Sequence, residues 1–131
     1  MGQLKNLFTA ACVFALAGCG GGTVIDDAKK AYLPECPGHS LGKIVLGYYV
    51  TNFDDTTLWS AYSTDDPEIV RVTAEGNILY VGVSTEATLE VLYNSARNEL
   101  SLSGVKFNGE EQPRLFAETL VSNMCDEAKG L

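Results

Sequence analysis

The side chains that could do acid–base or nucleophilic chemistry are few. His39 is the only histidine among the 131 residues, and imidazole is the group most often used as a general acid or base near neutral pH. A Ser-His-Asp site would use His39 with a serine and an aspartate, but we expect no nucleophile elbow of the G-x-S-x-G kind. We therefore predict that His39 is structural, that there are no catalytic residues, and that the protein is not an enzyme.

The acidic residues form adjacent pairs between apolar segments, which is typical of solvated loops. No D-x-D-x-D-G calcium loop is present, and the glycines at 20–22 are not followed by the Lys-Ser/Thr of a phosphate-binding loop. These patterns predict no metal and no cofactor. Four such pairs are Asp26-Asp27, Asp54-Asp55, Asp65-Asp66 and Glu110-Glu111.

Two cysteines, Cys36 and Cys125, suggest either a disulfide or a metal site. In a secreted chain a lone pair of thiols normally becomes oxidised. The alternative is a metal site made by both cysteines and His39, although zinc sites favour closely spaced pairs of ligands. The residues alone favour the disulfide and leave the metal site open.

The N-terminus has the features of a secretory signal. Lys5 is the only charged side chain before an apolar run, broken by one threonine, over residues 7–17. A bilayer span takes about 20 apolar residues, so this run is too short to cross and instead suits a signal peptide. It ends in Leu16-Ala17-Gly18-Cys19, which resembles the lipobox of bacterial lipoproteins. The resemblance implies that residues 1–18 are a signal peptide, cut before Cys19, and that Cys19 carries fatty acyl chains such as palmitate.

The remaining sequence predicts one acidic domain on a lipid tether. The net charge is −8 and becomes −9 when Lys5 leaves with the signal peptide, so nucleic-acid phosphates would repel the domain. We expect a flexible tether at residues 19–34, in which Ala28 to Leu33 could hold a helical turn, and a single domain at 35–131, attached to the membrane through its lipid. By resemblance to enterobacterial sorting rules, Gly20 favours the periplasmic face of the outer membrane in a Gram-negative host.

The apolar pattern of the domain predicts an α+β fold. Leu41, Ile44, Val45, Tyr48 and Tyr49 share one face of a helix that has Ser40 at its N-cap, and Gly42 and Gly47 suggest close packing against it. A second helix is expected over Leu115–Cys125. Between them we predict a four-stranded antiparallel meander, with both helices on one face. Its strands are Thr57–Ser63, Ile69–Ala74 with its continuation Ile78–Val83, Ala87–Tyr93 and Glu99–Phe107. We expect a bulge or a turn at Glu75-Gly76-Asn77 and a turn at Asn108-Gly109.

Several of these segments together resemble a family of small uncharacterised bacterial secreted proteins and lipoproteins. The resemblance supports joining Cys36 to Cys125, because its pattern begins and ends in cysteine, and it implies no catalytic residue. More loosely, a helix followed by a meander is similar to the small outer-membrane assembly lipoproteins of the BamE type. The matching segments are Cys36-Pro37-Gly38-His39-Ser40-Leu41-Gly42, Trp59, Val70-Arg71-Val72, Gly76, Leu89–Tyr93, Asn108-Gly109 and Met124-Cys125.

The number of aromatic side chains suggests binding to another protein. A small domain rarely buries all its Tyr and Trp residues, and these are enriched at interface hot spots. We take Tyr49 and Phe53 as candidate partner-binding residues. The predicted function is a lipid-anchored interaction or scaffold module of the cell envelope; the alternative is a periplasmic small-ligand-binding or inhibitor domain that uses the uncovered face of the sheet.

Overall fold

The computed structural model describes residues 21–49 and 57–128, which form an α+β structure with one antiparallel sheet and three helices. The helices are α1 (Gly21–Lys30), α2 (Leu41–Tyr48) and α3 (Arg114–Ala128). The strands are β1 (Leu58–Ser63), β2 (Ile69–Tyr80), β3 (Val83–Asn94), β4 (Glu99–Phe107) and β5 (Glu110–Glu111), and they lie in the sheet in chain order. Within the described residues no helix is long and apolar enough to cross a bilayer.

The sheet differs from the prediction in strand number and in one turn. A two-residue fifth strand, β5, follows the predicted turn at Asn108-Gly109, where both residues have positive φ. β2 continues without a break through Gly76, which pairs with Ala87. It ends at Tyr80 instead of Val83, because the chain reverses at Val81-Gly82.

Helices α2 and α3 lie close to the positions predicted for the two helices of the domain. Leu41, Ile44 and Val45 of α2 are buried, and Gly42 lies where an added Cβ would be 3.2 Å from Cβ of Lys29 on α1. Ser40 occupies the N-cap position, but its hydroxyl makes no capping hydrogen bond. Phe116 of α3 is half-buried, and the buried residues of this helix are Ala117, Leu120, Val121, Met124 and Ala128.

The predicted flexible tether at residues 19–34 needs correction. Residues Gly21–Lys30 form α1, and Ala28, Ala31 and Leu33 are almost completely buried in the core. Burial of these apolar side chains against the rest of the domain stabilises an ordered conformation. The packed domain therefore begins well before residue 35.

One face of the sheet forms the core, and the opposite face does not. Buried side chains alternate along the central strands β2 and β3, as expected when one face is packed and the other solvated. They join the buried residues of all three helices in a single cluster. We call the opposite side of the sheet the open face; its side chains on β2 and β3 are all half-buried or exposed.

Candidate interaction surfaces

The segment around His39 has the letters of a nucleophile motif that the sequence-based exclusion overlooked. Gly38-His39-Ser40-Leu41-Gly42 matches G-x-S-x-G. In that motif a strand leads into a strained turn that carries the serine. Here residues 21–39 contain no strand, and Ser40 has ordinary extended backbone angles (φ −67°, ψ 159°) at the start of α2. The spacing is present, but the strand–turn–helix geometry that activates the serine is not.

The structure brings Cys36 and Cys125 together, as predicted. Their sulfur atoms lie at disulfide distance and their Cα atoms are 5.6 Å apart, within the usual range for a bridge. Among the described residues, no group of three or more His, Cys, Asp and Glu side chains is placed to hold a metal ion. The geometry therefore favours the disulfide over the site with His39.

The prediction that Tyr49 contacts a partner is wrong. Its side chain is only 5% exposed, its hydroxyl donates a hydrogen bond to the Ala74 carbonyl oxygen at 2.8 Å, and burial raises its pKa well above the usual value for tyrosine. The ring lies over Gly76, so Tyr49 is a core residue that joins α2 to the sheet. Phe53 and the predicted lipidation site Cys19 lie outside the described residues.

The open face carries a row of three neighbouring side chains that are typical of protein interfaces. Tyr62 on β1 pairs with Arg71 on β2, which pairs with Leu92 on β3. Tyr62 and Arg71 are exposed, and the Arg71 Nε lies 2.8 Å from the Glu90 carboxylate. Exposed Leu58 lies on the same face of β1. We call Tyr62, Arg71 and Leu92 the Tyr62 row.

Two carboxyl groups, those of Glu75 and Glu86, lie close together on the open face. A hydrogen bond with Glu86 raises the pKa of the Glu75 carboxyl, with smaller contributions from desolvation and from repulsion by Glu86. The residues are diagonal neighbours, because Glu75 pairs with Thr88 and Asn77 pairs with Glu86. On the open face of β2 and β3, the charged side chains outside the Arg71–Glu90 ion pair are these two carboxylates.

The turn between β2 and β3 exposes apolar side chains on both sides of the sheet. Leu79 belongs to the open face and Tyr80 to the opposite face, and Val81 and Val83 are 83% and 63% exposed. We call residues 79–83 the hairpin tip. Its base is fixed by mutual edge-to-face contacts of Tyr80, Phe107 and Phe116, with ring centroids 5.2–5.6 Å apart.

A cleft lies at the other end of the sheet, beside the disulfide. Its volume is about 540 Å³, and its lining includes Tyr32, Pro34 and Pro37 on one side and Asn98 and Glu99 on the other. This volume is in the range of small-molecule sites.

Comparison of the chain with protein-family models, with curated protein sequences and with solved structures found no match. The function must therefore be argued from the surfaces themselves.

Proposed function

We propose that this protein is a lipid-anchored module of the bacterial cell envelope that binds an envelope protein through the open face of its sheet. Cys19 would carry the acyl chains, and the domain would sit on the periplasmic side of the membrane, in the outer membrane of a Gram-negative host. It acts by presenting a surface and not by chemistry. Residues 16–19 support the anchor, because they have the spacing of a lipobox.

The observation that carries the proposal is the Tyr62 row. Tyrosine and arginine are enriched among the residues that dominate binding energy at protein interfaces, and here they are adjacent on neighbouring strands. The helices pack on the opposite face, so a partner can approach this one. An anchor would confine both proteins to one membrane, which raises their effective concentration and lets a modest contact area suffice.

The test is photo-crosslinking in intact envelopes. A photoreactive phenylalanine analogue at position 62 should give a specific crosslinked product, and the same analogue at position 46, on α2, is the matched control because Leu46 is 70% exposed outside the sheet. Arg71→Ala should reduce the position-62 product. Equal products from both positions, or none from position 62, would refute the proposal.

The cleft favours a second function, the binding of a small ligand. Buried Leu33 and Leu100 supply apolar lining, while Lys30 and Glu99 supply opposite charges at its edge. A ligand that binds only the folded state raises the melting temperature. Screening a set of small metabolites by thermal shift, with Tyr32→Ala as the cleft variant, tests this alternative; a shift that survives in Tyr32→Ala would place the ligand elsewhere.

A further inference from the structure

The hairpin tip combines an exposed apolar surface with an unfavourable backbone conformation. Val81 has φ +52°, which is a genuine outlier for a β-branched residue. The other two described non-glycine residues with positive φ are asparagines, Asn98 and Asn108, which tolerate this region. Strained backbone conformations cluster at functional sites. The exposed Val81 is therefore a candidate binding residue.

The shape of the tip restricts what can cover it. A flat partner would cover one side, but Leu79 and Tyr80 lie on opposite sides of the hairpin and Val81 projects at its end. No charged side chain occurs from Ile78 to Thr85. Because the hairpin tip is apolar on both sides, its binding partner should surround it. A lipid bilayer can surround the tip, whereas a protein would need a preformed pocket.

We propose that the hairpin tip inserts into the interfacial region of a lipid bilayer with neutral headgroups and gives the domain a second membrane contact. This inference rests on the proposed function, because the acyl chains would hold the tip near the membrane. Tyr80 suits the boundary between headgroups and acyl chains, where tyrosine is enriched. Neutral lipid is specified because the chain has a net charge of −8 and the tip offers no cation to anionic headgroups.

Insertion would also orient the domain. The tip lies at one end of the sheet, whereas the β3–β4 turn around Ala96 lies at the other. Two membrane contacts, the acyl chains and the tip, would direct that turn away from the bilayer and leave the Tyr62 row accessible from the side.

Tryptophan fluorescence tests the insertion in protein purified from the envelope and reconstituted into phosphatidylcholine vesicles. The native chain has a single tryptophan, Trp59, so Trp59→Phe supplies a background without one. In it, Val83→Trp places the probe in the tip and Ala96→Trp is the control at the far turn. Lipids with brominated acyl chains should quench the tip probe and shift its emission to the blue, and should leave the control unchanged.

A second substitution separates insertion from loss of folding. Val81→Asn, added to the Val83→Trp protein, keeps the turn but removes an apolar side chain, and should lower the vesicle partition coefficient of the tip by about tenfold. Quenching of neither probe, or of both equally, would overturn the proposal. A blue shift that needs added envelope proteins would overturn it in favour of a protein partner. Position-62 crosslinking without tip quenching refutes insertion alone, whereas quenching without the crosslink refutes the partner alone.

Discussion

At the scale of single residues, the contact between Tyr49 and Gly76 explains two errors of prediction. Tyr49 follows the apolar pattern of α2, and that pattern does not show whether an aromatic ring faces solvent or a neighbouring strand. Gly76 looks like a break in a strand, but it is the position that accommodates the ring. Neither residue can be assigned alone, because each depends on a partner 27 residues away in the chain.

Gly76→Ala should therefore be strongly destabilising. The added Cβ would be 2.7 Å from Cδ2 of Tyr49, so the ring or the strand must shift, at a cost of about 1–3 kcal/mol in the free energy of unfolding. Gly104→Ala, whose added Cβ would meet only a carboxylate oxygen of Glu111 at 3.5 Å, is the control. Urea denaturation of both variants measures the difference, and equal stabilities would contradict the packing described.

The Glu75–Glu86 pair predicts a pH-dependent contribution to stability. Because the pKa of Glu75 is raised in the folded protein, this pair favours folding most below the ordinary carboxyl pKa, and its contribution is lost as the pH rises through the raised value. Glu75→Gln should raise the melting temperature at pH 7 by about 2 °C and give no advantage at pH 4. Glu90→Gln should lower it at pH 7, because Arg71 loses its partner. Melting curves of both variants between pH 4 and pH 7 measure the direction of each change in melting temperature.

At the scale of secondary structure, alternation and helical periodicity predicted most of the fold, because burial on one face imposes them. The Val81-Gly82 turn was missed because its first residue lacks the usual turn chemistry, which Asn108-Gly109 has. Helix α1 was missed because glycines and an acidic pair obscure a short apolar face. The Tyr62 row was not predicted, because its three residues become neighbours only through the register of the strands, which the sequence does not specify directly.

The two hairpins provide a matched pair of substitutions. Val81→Asn should stabilise the protein by about 1 kcal/mol, because asparagine adopts positive φ more easily. Asn108→Val should destabilise it by at least as much, since it introduces the same strain and removes the hydrogen bond from the Glu86 backbone N–H to the Asn108 Oδ1. Chemical denaturation gives both values. Stabilisation by Asn108→Val would refute the conformational argument.

At the scale of the whole molecule, a predicted disulfide joins the segment before α2 to the last turns of α3. Cys36 and Cys125 are 89 residues apart in sequence, a loop whose closure stabilises a fold by about 4.6 kcal/mol in the chain-entropy model. The double variant Cys36→Ser/Cys125→Ser should lose up to this amount. Peptide mapping without reductant should recover the linked pair; two free thiols in protein from the envelope would contradict the bond.

Partner binding by the open face and insertion of the hairpin tip are both proposed for a protein that is anchored to the membrane by lipid. One measurement tests whether the protein carries this lipid. Metabolic labelling with an alkyne fatty acid should mark the wild-type protein and the Cys12→Ser variant, because Cys12 would lie in the signal peptide that is removed under the proposal. Cys19→Ser should take up no label. Equal labelling of the wild type and Cys19→Ser, or no labelling of the wild type, would contradict the account.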